Sequence, residues 1–237
     1  MRSILIIGGN SDIGYATAHE FAKNNYNIHL ASRNIINLEI KKKELNSLYN
    51  IDCKISFLDI ESKDSINSFF MENFESPNII LIATGLLESQ QTNKEQIMNV
   101  NYLAPSVIIE KSIQTFNAQK KLDTIIGISS VAGDRKGKNV NTYSLSKTAF
   151  TSYLNKLRKK NEISKIHIMT VKPGWVKTKF IKDIKLPKIM VVDVNFVGNK
   201  IYKAYKDKKK ILYVPSYWSI IMFLYNMIPD IFFNYKK

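Results

Sequence analysis

The chain has little of several things, and each shortage excludes something. It holds one cysteine, Cys53, in 237 residues. That excludes an internal disulfide framework and a zinc site built from clustered thiolates. Its three histidines, His19, His29 and His167, lie far apart and at no metal-ligand spacing, so no metal site is expected. Acid is scarce beside base: Asp+Glu 20 against Lys+Arg 35, a formal net charge of +15. Such an excess suits an anionic partner without naming it. Long apolar runs are missing at the start. Residues 3–7 (SILII) are too few for a secretory signal, and Gly8-Gly9 follows at once. The expected compartment is the cytoplasm. No internal repeat and no Pro/Gly/Ser-rich linker breaks the chain.

What is present is ordinary globular composition, 45% hydrophobic and 23% charged, arranged as an alternation. Short apolar runs at 3–7, 27–31, 53–58, 78–83, 122–129 and 165–171 are separated by segments long enough for crossover helices, at 12–25, 34–49, 62–73, 93–119 and 142–161. Runs that are apolar nearly throughout are what strands covered on both faces require. The pattern predicts an α/β fold, a doubly wound parallel sheet of Rossmann type with about seven strands, the last at 211–214. Residues 1–214 form the expected core domain. Residues 215–237 are read as an apolar, aromatic appendage.

The first strand runs into Gly8-Gly9-Asn10-Ser11-Asp12-Ile13-Gly14 and then a helix. Glycine lets backbone approach a pyrophosphate, and a helix N-terminus offers free N–H groups and a positive dipole end. A plain strand–helix turn is the bland alternative. At the end of the second strand, Ser32 and Arg33 stand where the adenosine ribose meets a Rossmann fold. A basic residue there pairs with a 2′-phosphate, which favours NADP(H) over NAD(H); a solvated surface arginine is the alternative. Asp59, followed by Ile60, either accepts from the adenine amino group or caps the next helix. Ala83-Thr84-Gly85 supplies a small segment past which a cofactor can run.

Ser130 ends the fifth strand, and Tyr143 and Lys147 follow on one face of a helix, four residues apart. A phenol of pKa ~10 is a poor acid–base at neutral pH. A neighbouring ammonium is expected to lower it, and Ser130 to hydrogen-bond the reacting oxygen. Such a set can protonate the alkoxide formed when hydride reaches a ketone.

On these residues the chain resembles the short-chain dehydrogenase/reductase family over about 3–214. GGNSDIG looks like the family's glycine-rich turn, and Asp59 like its adenine contact. IATG (82–85) stands where the family has NNAG. Asn101 matches the asparagine that holds a relay water, and Ser130, Tyr143 and Lys147 match the other catalytic positions. Pro173-Gly174, with Val176 and Thr178, looks like the segment at the nicotinamide end. The resemblance also implies that Lys147 binds the nicotinamide ribose, and that the chain forms a homodimer or homotetramer. Two departures stand out. The NNAG asparagines are absent. Asp12 replaces the middle glycine of the turn, and its side chain is expected to turn from the pyrophosphate and cap the first helix.

A finer resemblance, in SSVAGDRKGKNVNTYSLSK (129–147), VKPGWVKT (171–178) and YVP (213–215), is to decaprenylphosphoryl-2-keto-ribose reductases. It implies NADPH-dependent reduction of a lipid-linked keto sugar in carbohydrate or cell-envelope biosynthesis. Related activities on non-sugar ketones, and a non-catalytic NADP-sensing role, are the alternatives. The short stretch between Trp175 and Val191 carries no diagnostic pocket residues.

Residues 200–210 hold six lysines against one aspartate, and 217–228 (YWSIIMFLYNMI) carry no charge. Twelve residues cannot span a bilayer as a helix. They can lie at a membrane surface, with Trp218, Phe223, Phe232 and Phe233 at the lipid boundary and the lysines, including Lys236-Lys237, on headgroups. Packing on protein, over the site or at a dimer interface, is the alternative. Basic clusters such as Lys41-Lys42-Lys43 and Arg158-Lys159-Lys160 accompany no nucleic-acid motif and read as solvated helix faces.

Overall fold

The computed structural model describes residues 1–72, 75–88, 92–117, 121–136, 140–160, 165–178 and 190–228. Four features of the sequence reading lie outside these residues: the ends of three expected helices, the stretch 137–139, the segment 179–189, and the tail from Pro229 with Phe232, Phe233, Lys236 and Lys237.

Seven strands, β1 (Ser3–Ile7), β2 (Asn27–Ser32), β3 (Cys53–Phe57), β4 (Ile79–Ile82), β5 (Thr124–Ile128), β6 (His167–Pro173) and β9 (Ile211–Val214), form one sheet in the order β3-β2-β1-β4-β5-β6-β9. Every neighbouring pair is parallel. The chain winds outward in one direction from β1 to β3 and in the other from β4, so the order reverses between β1 and β4. Ligands of such sheets bind at that switch point, beyond the strands' C-terminal ends. A second, two-stranded sheet joins β7 (Trp175–Val176) to β8 (Val191–Val192).

Alternation along β1 explains the two-sided core. Ile4 and Ile6 face one layer with Phe21, Leu38, Val197 and Ile201. These come from α1 (Asp12–Lys23), α2 (Ile35–Leu48) and α7 (Val194–Lys206). Leu5 and Ile7 face the other layer, with Phe69, Ile108, Phe150 and Leu154. That layer is α3 (Lys63–Met71), α5 (Ala104–Asn117) and α6 (Thr142–Lys160). All four β1 residues are fully buried, as a strand at the middle of a doubly wound sheet must be.

The segment expected as one helix from 93 is interrupted. α4 (Lys94–Met98) passes through a π-helical turn, Asn99–Leu103, before α5 begins. Such turns insert one residue into the helical ladder and re-aim the side chains within it. Here the turn holds Asn101, which is fully buried. α7 was masked in sequence by its lysines; its buried face is Val197, Gly198, Ile201, Ala204 and Tyr205. α8 (Tyr217–Met227) closes the described chain, burying Trp218 and Met222 against Val131 and Trp175. No helix among the described residues is long and apolar enough to cross a membrane.

Candidate active site

The glycine turn leaves β1 with Gly8 at φ +86°, and a Cβ there would lie 2.8 Å from the Ala83 carbonyl oxygen. Only glycine fits without strain. The backbone N–H groups of Gly8 and Gly9 both donate to the Ala31 carbonyl, at 2.9 and 3.1 Å, which ties the turn to the end of β2. Ser11, not Asp12, caps α1: its hydroxyl accepts from the Gly14 N–H at 3.1 Å. Asp12 is the first helical residue and lines the cleft, where its carboxylate complements the positive end of the helix dipole. Asn10 donates through Nδ2 to the Asn34 carbonyl at 2.9 Å, which leaves its Oδ1 buried without a hydrogen-bond partner. A buried orphan acceptor is costly unless something donates to it.

Beside this turn, at the ends of β2 and β3, Arg33 Nη1 donates to Glu61 Oε2 at 2.7 Å and lies 3.9 Å from Asp59 Oδ1. Its side chain is 62% exposed. The cap of α3 is Ser62, whose hydroxyl accepts from the Ser65 N–H. Asp59 Oδ1 accepts instead from the Glu61 N–H at 3.0 Å, so the capping alternative for Asp59 falls. Ser32, Arg33, Asp59 and Ile60 do not line the cleft beyond the strand ends.

That cleft, about 330 Å³, runs from Asn10, Ser11 and Ile13 past Ala83, Thr84 and Gly85 to Ser130, Tyr143 and Lys147, and is closed by Pro173, Gly174, Val176 and Thr178. Residues far apart in sequence are thus brought to one place by the C-terminal ends of β1, β4, β5 and β6. Gly174 is required by packing. A Cβ there would fall 2.0 Å from the indole nitrogen of Trp218, so α8 rests directly on the floor of the cleft.

At the far end, Lys147 is 3% exposed, and among the described residues its ammonium meets no carboxylate. It donates to the Ile128 carbonyl at 3.1 Å and the Thr84 carbonyl at 3.4 Å, and sits 6.0 Å from the centre of the Tyr143 ring. Burial alone pushes its pKa down to about 8. Tyr143 departs from expectation. Burial lifts its pKa above the ordinary phenol value, and the groups acting in the opposite direction are the Ser130 hydroxyl and the Arg135 charge. The expected lowering by Lys147 is not what the structure shows: burial of the phenol outweighs the groups that lower its pKa, and Lys147 is not among them. Ser130 Oγ accepts from the Ala132 N–H at 3.1 Å, which aims the side chain.

Asn101 is fully buried and does not line the cleft. Its Oδ1 accepts from the Leu86 N–H at 2.8 Å, and its Nδ2 donates to the Leu86 carbonyl at 2.9 Å and to Ser146 Oγ at 3.0 Å. With the Thr84 hydroxyl donating to the Val100 carbonyl at 3.3 Å, this clamp steadies the segment after β4. It does so without the asparagines of NNAG. Sequence reasoning gave no role to Arg135, Asn141, Ser144, Trp175 or Leu87, which line the cleft; the first four lie in the stretches 129–147 and 171–178 that carry the finer resemblance.

The short chain dehydrogenase family model matches residues 2–188, and the chain belongs to that family. It is 27% identical over 190 residues to the NADP-dependent 3-hydroxy acid dehydrogenase of Schizosaccharomyces pombe, covering 76% of this chain and 73% of that one. Among solved structures it is similar to a short-chain dehydrogenase from Sphingobium yanoikuyae in complex with NADPH, with TM-score 0.84, 18% identity and 97% of each chain covered. It is also similar to the bulky-bulky ketone specific alcohol dehydrogenase from Comamonas testosteroni, with TM-score 0.80, 19% identity and 97% and 96% covered. Family membership makes the chain an NAD(P)-dependent oxidoreductase that interconverts alcohols and carbonyl compounds.

Proposed function

We propose that this chain is an NADPH-dependent reductase that converts a ketone to a secondary alcohol. The observation that carries the reading is the cleft itself, with a glycine turn at one end and Ser130, Tyr143 and Lys147 together at the other. The residues present suit a dinucleotide. The unsatisfied Asn10 Oδ1 can accept from a ribose hydroxyl, and the α1 N-terminus favours a pyrophosphate. Arg33 favours a 2′-phosphate; its exposed ion pair with Glu61 is worth at most about 1 kcal/mol and yields readily to a phosphate. When bound, the cofactor supplies hydride to the carbonyl carbon.

The chain's own groups handle the oxygen. Ser130 orients it, and Tyr143 gives it a proton. Burial raises the phenol's pKa, and the Ser130 hydroxyl and the Arg135 charge act against that rise, toward the range in which a phenol donates a proton. The Ser130 hydroxyl and the Arg135 charge favour the phenolate left behind, and Lys147 offers N–H donors toward the cofactor ribose. Asn101 keeps the π-helical turn beside which the relay water of the family resemblance would stand.

For the substrate, the sequence stretches 129–147, 171–178 and 213–215 support a keto sugar carried on polyprenyl phosphate, in carbohydrate or cell-envelope assembly. The exposed face of α8, with Ile220, Phe223, Leu224 and Met227, supports contact with the lipid that carries it, at the inner face of the membrane. A homodimer or homotetramer is the expected assembly. The test is NADPH consumption on keto sugars attached to short prenyl phosphates beside their unlinked analogues, with wild type and Tyr143→Phe. The variant should still bind NADPH and lose turnover by roughly 10²–10⁴. Unchanged turnover would remove Tyr143 from the chemistry.

A further inference from the structure

We infer that the chemical end of the cleft is built for a ketone carrying an oxyanion, and that Arg135 binds that oxyanion. The inference rests on the reductase reading and narrows its substrate class.

Arg135 follows the 3₁₀ turn Val131–Asp134 that begins at Ser130. It lines the cleft, and its charge acts on Tyr143, so the guanidinium is within electrostatic reach of the reacting phenol. Asp134, the residue before it, would be the nearest partner, but it faces away. Its Oδ1 accepts from the buried Lys172 ammonium and its Oδ2 from the Tyr213 hydroxyl at 2.8 Å. Among the described residues Arg135 forms no ion pair. Among the described residues that line the cleft, the one acid is Asp12, at the glycine turn. Lys147, the other cation there, is held by backbone carbonyls.

Two more features point the same way. Asn141 lines the cleft and caps α6 by accepting from the Ser144 N–H at 2.9 Å, so the positive end of a 19-residue helix opens on the same cleft as Arg135. Trp175 and Leu87 supply apolar wall to the same cleft. A neutral ketone leaves the guanidinium to water. A ketone with a carboxylate or phosphate gains charge-assisted hydrogen bonds from it.

The test compares matched pairs in NADPH-dependent reduction: a 3-keto carboxylate against its methyl ester, and a keto sugar phosphate against the free keto sugar. Wild type should favour the charged member of at least one pair by about 10–100-fold in kcat/KM, chiefly through KM. Arg135→Gln should collapse that ratio toward one, and Arg135→Lys should restore part of it. The pair that responds identifies carboxylate or phosphate. Turnover with no charge preference, or a preference that survives in Arg135→Gln, overturns this inference alone. Failure to reduce any ketone while NADPH binds, shown by fluorescence titration, overturns the reductase reading and this inference with it.

Discussion

Two buried lysines sit near the C-terminal end of the same sheet and are treated in opposite ways. Lys172, on β6, is 5% exposed and meets Asp134, with Tyr213 completing the cluster. Its charge is answered inside the protein, and it fastens the turn after Ser130 to β6 and β9. Lys147, on α6, is 3% exposed, donates to two carbonyls and, among the described residues, meets no acid. Its charge is left open to the cleft, and burial drags its pKa down to about 8. The difference teaches how to separate a structural charge from a chemical one here. Burial is the same, and the presence of a partner acid decides.

Removing each amine breaks the comparison most sharply. Lys147→Met should lower turnover by about 10²–10⁴ and raise the melting temperature by roughly 2–4 °C, because a desolvated ammonium disappears and no acid is orphaned. Kinetics beside a thermal melt checks both halves. Lys172→Met should do the reverse in stability. Asp134 would stay buried without its cation, at a cost of about 3–5 kcal/mol, with a melting temperature lower by roughly 6–20 °C. Adding Asp134→Asn to Lys172→Met should recover part of that loss, since the stranded charge is then gone. The smallest expected effect is at the exposed Arg33, where a cation answered by Glu61 resembles neither extreme. Arg33→Ala should reduce the NADPH-over-NADH preference about tenfold, read from the two dissociation constants.

The part of this contrast that could be foreseen in sequence was the part written locally. Parallel strands buried on both faces are apolar runs, so β1 and β9 fall at the expected residues and the other main-sheet strands within two. Tyr143 and Lys147 share a helix face by spacing alone. Long-range choices left no such mark. Which lysine would find Asp134, that Trp218 would rest on Gly174, and that the Tyr143 pKa would answer to Ser130 and Arg135 depend on where β5, β6 and β9 bring their ends together. Local competition also misled. Ser11 and Asp12 are both good caps, and the position one residue ahead took the role. The buried stripe of α7 was hidden because Lys200, Lys203 and Lys206 occupy its solvent face between Val197, Ile201 and Ala204.

The most direct test of the claim that Lys147 stands charged without an acid is its own titration, followed by NMR of ¹⁵N-labelled lysine in the free protein, with Lys147→Met to assign the signal. One lysine titrating near 8, well below the ordinary value of about 10.4, and absent from the variant is the predicted result. If every lysine titrates at the ordinary value, or the low signal survives in Lys147→Met, Lys147 is not the open charge described for this cleft.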